Sequence, residues 1–332
     1  MAQGYINMTV KKVGAASFSS VDMTTETLRQ IKDRAENDYK VIPFPIKGIT
    51  EYFGPLFPGH LCVVQAQTTN GKSLLIDQWG NFIAKNLIDH KANEVVIKVD
   101  LETWLEDHGR FEFSKRTEET VQRLNSGKIQ DWEKLMDAVF DINSIGLYRI
   151  AYSERHIHET PDLSVGNCLK ELEYLKDVKY KNKLTFAAIF VDYLQALEYD
   201  SSDDNDRRLK VRKDIYALRQ WGQIFKCPII VGVQAKQHLS GADSKNMYIP
   251  GIYDGEETSS IAQRADRIIS LWMPKVLHDV GHVISYRGDT YRVTEDMIFV
   301  KINKQRGNLP SGAKWLCRVD YATGEIHMVE KL

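Results

Sequence analysis

Residues 66–73 read Ala66-Gln67-Thr68-Thr69-Asn70-Gly71-Lys72-Ser73 and separate two apolar segments, 61–64 and 74–76. An apolar strand, a tight loop ending in Gly-Lys-Ser and a following helix form the context of a P-loop. The backbone N–H groups of such a loop bind phosphate oxygens, and the helix adds the positive end of its dipole. We therefore expect Lys72 to contact the β- and γ-phosphates of ATP and Ser73 to ligate Mg²⁺. A chance match in a surface turn is the alternative, which the flanking elements disfavour.

The chain after this loop alternates apolar segments with helical patterns. The candidate strands are Leu61–Gln65, Glu94–Val99, Gly146–Ala151, Thr185–Val191, Pro228–Val233, Arg267–Trp272 and Met297–Ile302. Most of them are continuous apolar runs, which are typical of parallel strands covered by helices on both faces. The helical patterns cover 73–87, 105–124, 128–141, 165–178 and 206–225. The sequence predicts one α/β domain at 44–332, a doubly wound, mostly parallel sheet with helices on both faces.

Residues 1–43 are predicted to form a leader with a short polar helix at 24–35. Thr24 or Thr25 can cap this helix, which has too few apolar residues for a core helix. The segment is either a solvated leader or an arm that docks on a neighbouring subunit.

Composition limits the functional classes. In 332 residues, no apolar stretch is long enough to span a bilayer and no secretion signal begins the chain, so a cytoplasmic protein is expected. The four cysteines are scattered, which favours buried free thiols in a reducing compartment (Cys62, Cys168, Cys227 and Cys317). His156 and His158 form a weak metal candidate without further ligands nearby. A net charge of −1 restricts any nucleic-acid contact to local basic groups.

Several strand ends supply candidate catalytic groups. Asp192 ends an apolar strand at the edge where open α/β sheets bind ligands, and it would hold Mg²⁺. After the candidate strand Glu94–Val99, which follows the P-loop helix, either Asp100 or Glu102 could polarise the attacking water, and the spacing does not decide between them. Gln234 could sense the γ-phosphate or orient water, although strands often end in polar residues. Lys304 and Arg306 follow a late strand. They could form a solvated face, or they could supply an arginine finger that reaches a neighbouring site.

Together these blocks resemble the RecA-like ATPase domain of DnaB-type replicative helicases from about residue 44 to about residue 325. The family has alanine where this chain has Ala66, and its Walker B block matches Asp192-Tyr193-Leu194-Gln195 at all four positions. Similar blocks occur in the family's order at Phe57–Leu61, Asp100–Glu102 (Ser-Leu-Glu in the family), Ile157–Ser164, Cys227–Gln234, Ser260–Asp266 and Lys304–Asn308. The resemblance implies that Glu102 is the catalytic glutamate and that Arg306, assisted by Lys304, is a finger acting in trans.

The resemblance also implies an ATP-driven ring, a hexamer, that translocates on single-stranded DNA or unwinds DNA during replication. Loops near 201–210 and 238–258 would face the DNA. Their candidate phosphate contacts are Arg207, Arg208, Lys236, His238 and Lys245. A loader or a primase-like protein is a further expected partner.

Three departures from the family pattern qualify this picture. The sequence predicts that the family's helical N-terminal domain is replaced by the leader at 1–43, and it contains an acidic segment at 201–206 and an insertion at 275–295. Together these departures predict a phage, plasmid or mobile-element homologue. The acidic segment and the near-neutral charge favour an alternative: a RecA-like ATPase that assembles on a protein partner as a regulator or loader without unwinding. A third possibility, a structural subunit with a dead site, has no chemical need for Glu102 or Arg306.

Overall fold

The computed structural model describes residues 19–36, 41–88, 93–117, 119–153, 163–181, 183–197, 207–236, 248–255, 259–286, 288–307 and 309–332. Several sequence predictions lie outside these residues: the His156–His158 pair, the acidic segment 201–206, His238 and Lys245. The chain divides into two compact units between Val41 and Ile42. In the first unit, the described residues form the helix α1 (Ser20–Glu36), which includes the predicted polar helix.

The second unit is built on a nine-stranded sheet with a separate two-stranded hairpin. The described strands are β1 (Leu61–Ala66), β2 (Glu94–Asp100), β3 (Leu147–Ile150), β4 (Thr185–Asp192), β5 (Ile229–Gln234), β6 (Arg267–Trp272), β7 (Val283–Tyr286), β8 (Asp289–Arg292), β9 (Met297–Gln305), β10 (Lys314–Asp320) and β11 (Glu325–Lys331). Their order in the large sheet is β11-β10-β9-β6-β1-β5-β4-β2-β3. All seven candidate strands are therefore present.

The sheet is mostly parallel, as predicted, with an antiparallel extension at one side. Strands β6, β1, β5, β4, β2 and β3 pair in parallel, whereas β9, β10 and β11 pair antiparallel. The sequence predicts β9 as a strand from the continuous apolar run in its first half, but this run does not indicate the direction of the strand. The exposed positions that interrupt β10 and β11 reflect their place at the sheet margin, and this pattern hid both strands from the sequence analysis.

Helices cover both faces of the sheet. The further described helices are α2 (Thr50–Phe53), α3 (Lys72–Asn86), α4 (Leu105–Thr117), α5 (Val121–Asn125), α6 (Trp132–Ser144), α7 (Val165–Glu173), α8 (Arg207–Ile224) and α9 (Ser260–Arg264). One core lies between the sheet and α7 and α8, and the other lies between the sheet and α3. In the second core, Trp79 packs against Phe44, Phe53 and Phe190.

Two helix predictions were wrong in their boundaries. The single helix expected at 105–124 is two helices, because the Thr120 side chain accepts a hydrogen bond from the Arg123 N–H and caps a new helix. The helix expected at 128–141 begins at Trp132, because Asp131 caps it through the Lys134 N–H. The predicted insertion at 275–295 contains the β7–β8 hairpin, which packs Ile284 against the sheet.

The four cysteines are buried free thiols, as expected. Burial raises the pKa of the Cys62 and Cys227 thiols, so both stay protonated and act as small apolar side chains. Among the described residues, no helix has both the length and the apolar character needed to cross a membrane. The same residues contain no group of three or more side chains suited to hold a metal ion.

Candidate active site

The loop at 67–71 connects the central strand β1 to α3, and side-chain contacts fix its shape. Asn70 is 1% exposed; its Oδ1 accepts a hydrogen bond from the Met273 N–H at 2.7 Å, and its Nδ2 donates to the Thr68 carbonyl at 3.0 Å. Gly71 has a φ of 81°, and a Cβ there would lie 2.8 Å from a methyl carbon of Ile298. Only glycine therefore fits between the loop and the neighbouring strand. The helix α3 begins at Lys72, directly after this glycine.

A cavity of about 920 Å³ opens beside this loop, at the edge where the parallel strands end. Its volume lies in the range of small-molecule binding sites. The residues that line it are Ala66, Gln67, Thr68, Thr69, Gly71, Lys72, Ser73, Leu74, Glu102, Thr103, Tyr193, Gln234, Met273, Lys275 and Tyr321. The structure thus brings seven of the eight loop residues to one cavity, while the side chain of Asn70 holds the loop from behind.

Lys72 and Asp192 form an ion pair beside the cavity. The Lys72 Nζ lies 3.1 Å from Asp192 Oδ1, and the two side chains are 12% and 3% exposed. The same ammonium group lies 3.7 Å from the centre of the Tyr193 ring. A Cβ at Gly232 on β5 would lie 2.9 Å from Asp192 Oδ1 and 3.1 Å from Lys72 Cδ, so this glycine leaves the space that both side chains occupy.

The residues fit a divalent cation. Apart from its ion-pair contact with Lys72, the buried Asp192 Oδ1 has no hydrogen-bond donor within the described part of the chain. Carboxylate and hydroxyl oxygens are ligands that Mg²⁺ prefers, and Asp192 and Ser73 supply one of each. Since Ser73 is in the first turn of α3, its hydroxyl and the loop N–H groups lie at the same helix end.

The structure separates the two acids that the sequence left undecided. Glu102 is exposed and lines the cavity. Asp100 is 1% exposed and does not line it; its Oδ2 lies 2.6 Å from His108 Nε2 and 3.1 Å from Lys98 Nζ. Although burial alone would raise the pKa of Asp100, His108 and Lys98 hold it well below its usual value. Only Glu102 is therefore positioned to act on a ligand in the cavity.

Gln234 links the end of β5 to the loop. Its Nε2 donates to the Thr68 hydroxyl at 3.0 Å, and its N–H donates to Gln195 Oε1 at 3.1 Å. Gln195 is the last residue of the Asp-Tyr-Leu-Gln block, and its Nε2 donates to the Gln234 carbonyl at 3.2 Å. The side chain of Gln234 therefore connects the loop to the end of β5.

Lys304 and Arg306 lie at the opposite edge of the sheet. Arg267 pairs with Cys62 at the start of β1 and with Gln305 at the end of the antiparallel β9. The Arg306 guanidinium lies 3.2 Å from Asp266 Oδ1, and Lys304 Nζ donates to the Ala262 carbonyl at 2.6 Å. From Cys62 at this edge to Ala66 at the loop, β1 rises by about 13 Å, at about 3.3 Å per residue. Neither basic group lies at the cavity of its own chain.

The candidate DNA contacts are described only in part. Lys236 is exposed two residues after the end of β5, and its carbonyl accepts a hydrogen bond from Gln67 Nε2 at 3.0 Å. Arg208 is exposed in the first turn of α8. Arg207 begins α8, and its side chain is outside the described part. Through Gln67, Lys236 is connected to the loop between β1 and α3.

Sequence reasoning missed six of the residues that line the cavity: Leu74, Thr103, Tyr193, Met273, Lys275 and Tyr321. Tyr193 and Met273 directly follow the strands β4 and β6, and Thr103 directly follows the Asp100–Glu102 block. These positions could have marked the three residues as candidates from the sequence. Lys275 and Tyr321 come from the insertion and from the β10–β11 turn, where no motif marks them. Lys275 Nζ donates to the Tyr321 hydroxyl at 2.7 Å, and this hydrogen bond raises the pKa of Lys275.

Comparison with known proteins gives a family match and two similar structures. The model of the family "DnaB-like helicase C terminal domain" matches residues 43–313. One solved structure, of an isolated ATPase domain, superposes with a TM-score of 0.72 at 16% identity, covering 95% of this chain and 100% of that chain. A DnaB-like replicative helicase, solved in a study of its interactions with primase, superposes with a TM-score of 0.69 at 16% identity, covering 94% of this chain and 67% of that chain. No curated protein matches the chain.

Proposed function

Because the chain belongs to the DnaB-like helicase C-terminal domain family and has its RecA-like ATPase fold, we propose that it is an ATP-hydrolysing motor. In this proposal it assembles as a hexameric ring and translocates on single-stranded DNA or unwinds DNA during replication. The observation that carries the proposal is the division of the catalytic groups between two sheet edges. Lys72, Asp192 and Glu102 lie at the cavity, whereas Arg306 and Lys304 lie at the other edge. Only a second copy can bring both sets together.

Within one subunit, the loop N–H groups and Lys72 bind the phosphates of ATP. The Ser73 hydroxyl and the Asp192 carboxylate hold Mg²⁺, which when bound neutralises charge on the phosphate oxygens. Glu102 accepts a proton from the attacking water. Gln234 responds to the γ-phosphate, a role supported by the hydrogen bond that it donates to Thr68 in the loop.

The neighbouring subunit contributes Arg306, with Lys304 assisting. The side chain of Arg306 is 47% exposed, which leaves part of the guanidinium accessible to another copy. A guanidinium that approaches the transferring phosphoryl group stabilises charge which develops only in the transition state.

We further propose that α1 is the docking arm of the ring. Val21, Leu28 and Ile31 fall on one face of α1 and are 69%, 66% and 55% exposed. On α6, Trp132, Met136 and Phe140 form a second stripe at a spacing of four residues and are 63%, 50% and 69% exposed. Burial of the α1 stripe of one copy against the α6 stripe of the next would remove both from water.

The docking proposal predicts that Leu28→Glu weakens assembly. A charge in place of a buried leucine forfeits about 2 kcal/mol of apolar burial, or roughly 30-fold in subunit affinity, before any cost of burying the charge. Light scattering with a non-hydrolysable ATP analogue measures the ring. Met23→Glu is the matched control, since Met23 is 60% exposed and lies about 140° from Leu28 around the axis of α1. Equal loss of the ring in both variants, or in neither, would contradict docking through this face.

DNA binding by Lys236 and Arg208 predicts a strong dependence on salt. Each phosphate that a lysine or arginine neutralises contributes about −0.7 to the slope of log K against log salt for single strands. Lys236→Ala should reduce this slope, while Lys128→Ala, an exposed lysine before α6, should leave it unchanged. A fluorescence anisotropy titration with an oligonucleotide at several salt concentrations measures it.

The same titration tests the alternative function. A net charge of −1 favours a RecA-like ATPase that assembles on a protein partner as a regulator or loader. If single-stranded DNA binds weakly at every salt concentration while ATP hydrolysis persists, the regulator replaces the motor. A loader or a primase-like protein stays a prediction in both cases.

A further inference from the structure

A buried group of charges lies behind the turn that carries Glu102. It consists of Asp77 on α3, Lys98 and Asp100 on β2, His108 on α4 and Arg149 on β3, and we refer to it as the charge cluster. The Lys98 side chain is 3% exposed; its Nζ contacts Asp77 Oδ1 and lies 3.1 Å from Asp100 Oδ2. Arg149 lies 3.8 Å from Asp77 Oδ1 on the other side. The cluster therefore connects the helix that follows the phosphate-binding loop to the end of β2.

Asp100 uses its two carboxylate oxygens for different contacts. Oδ2 faces the charge cluster, 3.1 Å from Lys98 and 2.6 Å from His108. Oδ1 accepts hydrogen bonds from the N–H groups of Glu102 at 3.3 Å and of Thr103 at 3.1 Å. The backbone that leads into the cavity thus closes over the Asp100 side chain, as in an Asx turn.

The charges of the cluster are fixed by one another. Burial alone would lower the pKa of Lys98, but Asp77 and Asp100 raise it above its usual value. Burial would likewise raise the pKa of Asp77, and Lys98 and Arg149 lower it. A buried cluster of this kind is costly to desolvate, and an apolar side chain could close a strand end at lower cost. Its position directly before the turn that carries Glu102, with Asp100 accepting hydrogen bonds from that turn, points to a role in orienting it.

We propose that Asp100 is a positioning residue for Glu102, held in place by Lys98 and His108. The carboxylate of Asp100 fixes the 100–103 turn, and this turn sets where the Glu102 carboxylate stands in the cavity. Through Lys98 and Asp77, the position of Glu102 is tied to α3 and hence to the phosphate-binding loop. The inference rests on the proposed function, because it gives Glu102 its task in ATP hydrolysis.

The test compares Asp100→Ala in two backgrounds. Loss of a positioning contact lowers activity by about 10- to 100-fold. We expect Asp100→Ala to lower kcat by this factor in the otherwise native chain, with less than a threefold change in the Kd of a fluorescent ATP analogue. In the Glu102→Gln background, the same substitution should change the single-turnover rate by less than twofold, because the residue it positions no longer acts.

Two further variants separate positioning from stability. Asp100→Asn keeps an oxygen acceptor for the N–H groups of Glu102 and Thr103 but loses the negative charge that pairs with Lys98 and His108, so we expect its kcat to lie between those of Asp100→Ala and the native chain. Asp214→Ala is the control: Asp214 is a 9% exposed carboxylate whose Oδ2 lies 3.9 Å from Lys210 Nζ on α8. Its substitution should leave kcat within a factor of two.

The outcomes test the role of Glu102 and the positioning role of Asp100 separately. A Glu102→Gln variant with native kcat would remove the proposed role of Glu102 and, with it, this part of the proposed function. An effect of Asp100→Ala that is equal in both backgrounds, or that appears equally in Kd, would overturn the positioning role while leaving the proposed function intact. Failure of Asp100→Asn to exceed Asp100→Ala would overturn it as well.

Discussion

Replacing Lys72 with alanine is expected to reduce ATP hydrolysis by about 10²- to 10³-fold, the loss typical when one donor to a developing negative charge is removed. The ammonium group stands at the cavity, 3.1 Å from Asp192 Oδ1 and 3.7 Å from the Tyr193 ring centre. Its removal deprives the phosphates of their cation and leaves Asp192 buried without its ion-pair partner. Both effects reduce turnover, which a coupled phosphate-release assay measures with and without single-stranded DNA.

Lys85→Ala is the matched control for this experiment. Lys85 is an exposed lysine in the last turn of the same helix, so the substitution removes the same side chain from α3 without touching the cavity. Its ATPase rate and melting temperature should stay close to those of the native chain. A Lys72→Ala variant that keeps more than a tenth of the native rate would contradict the assignment of the cavity. A native chain without any nucleotide hydrolysis would defeat the motor as a whole.

The sheet was predictable where side-chain burial follows a simple rule. Strands such as β4 are covered on both faces, so they consist of continuous apolar runs that can be recognised in the sequence. The same rule gives no direction for Met297–Ile302, because a strand covered on both faces has the same apolar pattern whether it runs parallel or antiparallel. The direction of β9 is set by tertiary pairing with β6, and no local pattern encodes it. Yet this direction determines at which edge Arg306 lies.

The candidate site was predictable only as far as residues are adjacent in the chain. The loop residues and Asp192 directly follow or end apolar strands, so the sequence alone marks them as candidate site residues. The choice between Asp100 and Glu102 depends on burial: Asp100 ends β2 and contacts His108 and Lys98, whereas Glu102 follows the strand and is exposed, and the spacing of the acids does not encode this difference. Lys275 reaches the cavity through contacts made by an insertion, so its place there could not be derived from a motif.

Replacing Arg306 with alanine is expected to lower the ATPase rate of the assembled protein by about 10³-fold or more, the contribution typical of an arginine finger. ATP binding should change little, because Arg306 stands at the sheet edge away from the cavity of its own chain. Arg318→Ala is the control, since Arg318 is equally exposed, 46% against 47%, and also pairs with an aspartate. A native rate in Arg306→Ala would contradict the finger.

Mixing the two inactive variants tests whether the finger acts between subunits. In a ring with head-to-tail interfaces, an Arg306→Ala subunit offers an intact cavity and a Lys72→Ala neighbour offers an intact finger. An equimolar mixture should therefore restore roughly one quarter of the sites if subunits assemble at random. Lys72→Ala mixed with Glu102→Gln should restore none, because both changes disable the same half of the site. Absence of recovery in the first mixture, once light scattering has shown that mixed assemblies form, would leave Arg306 without a partner site and remove the argument for a ring.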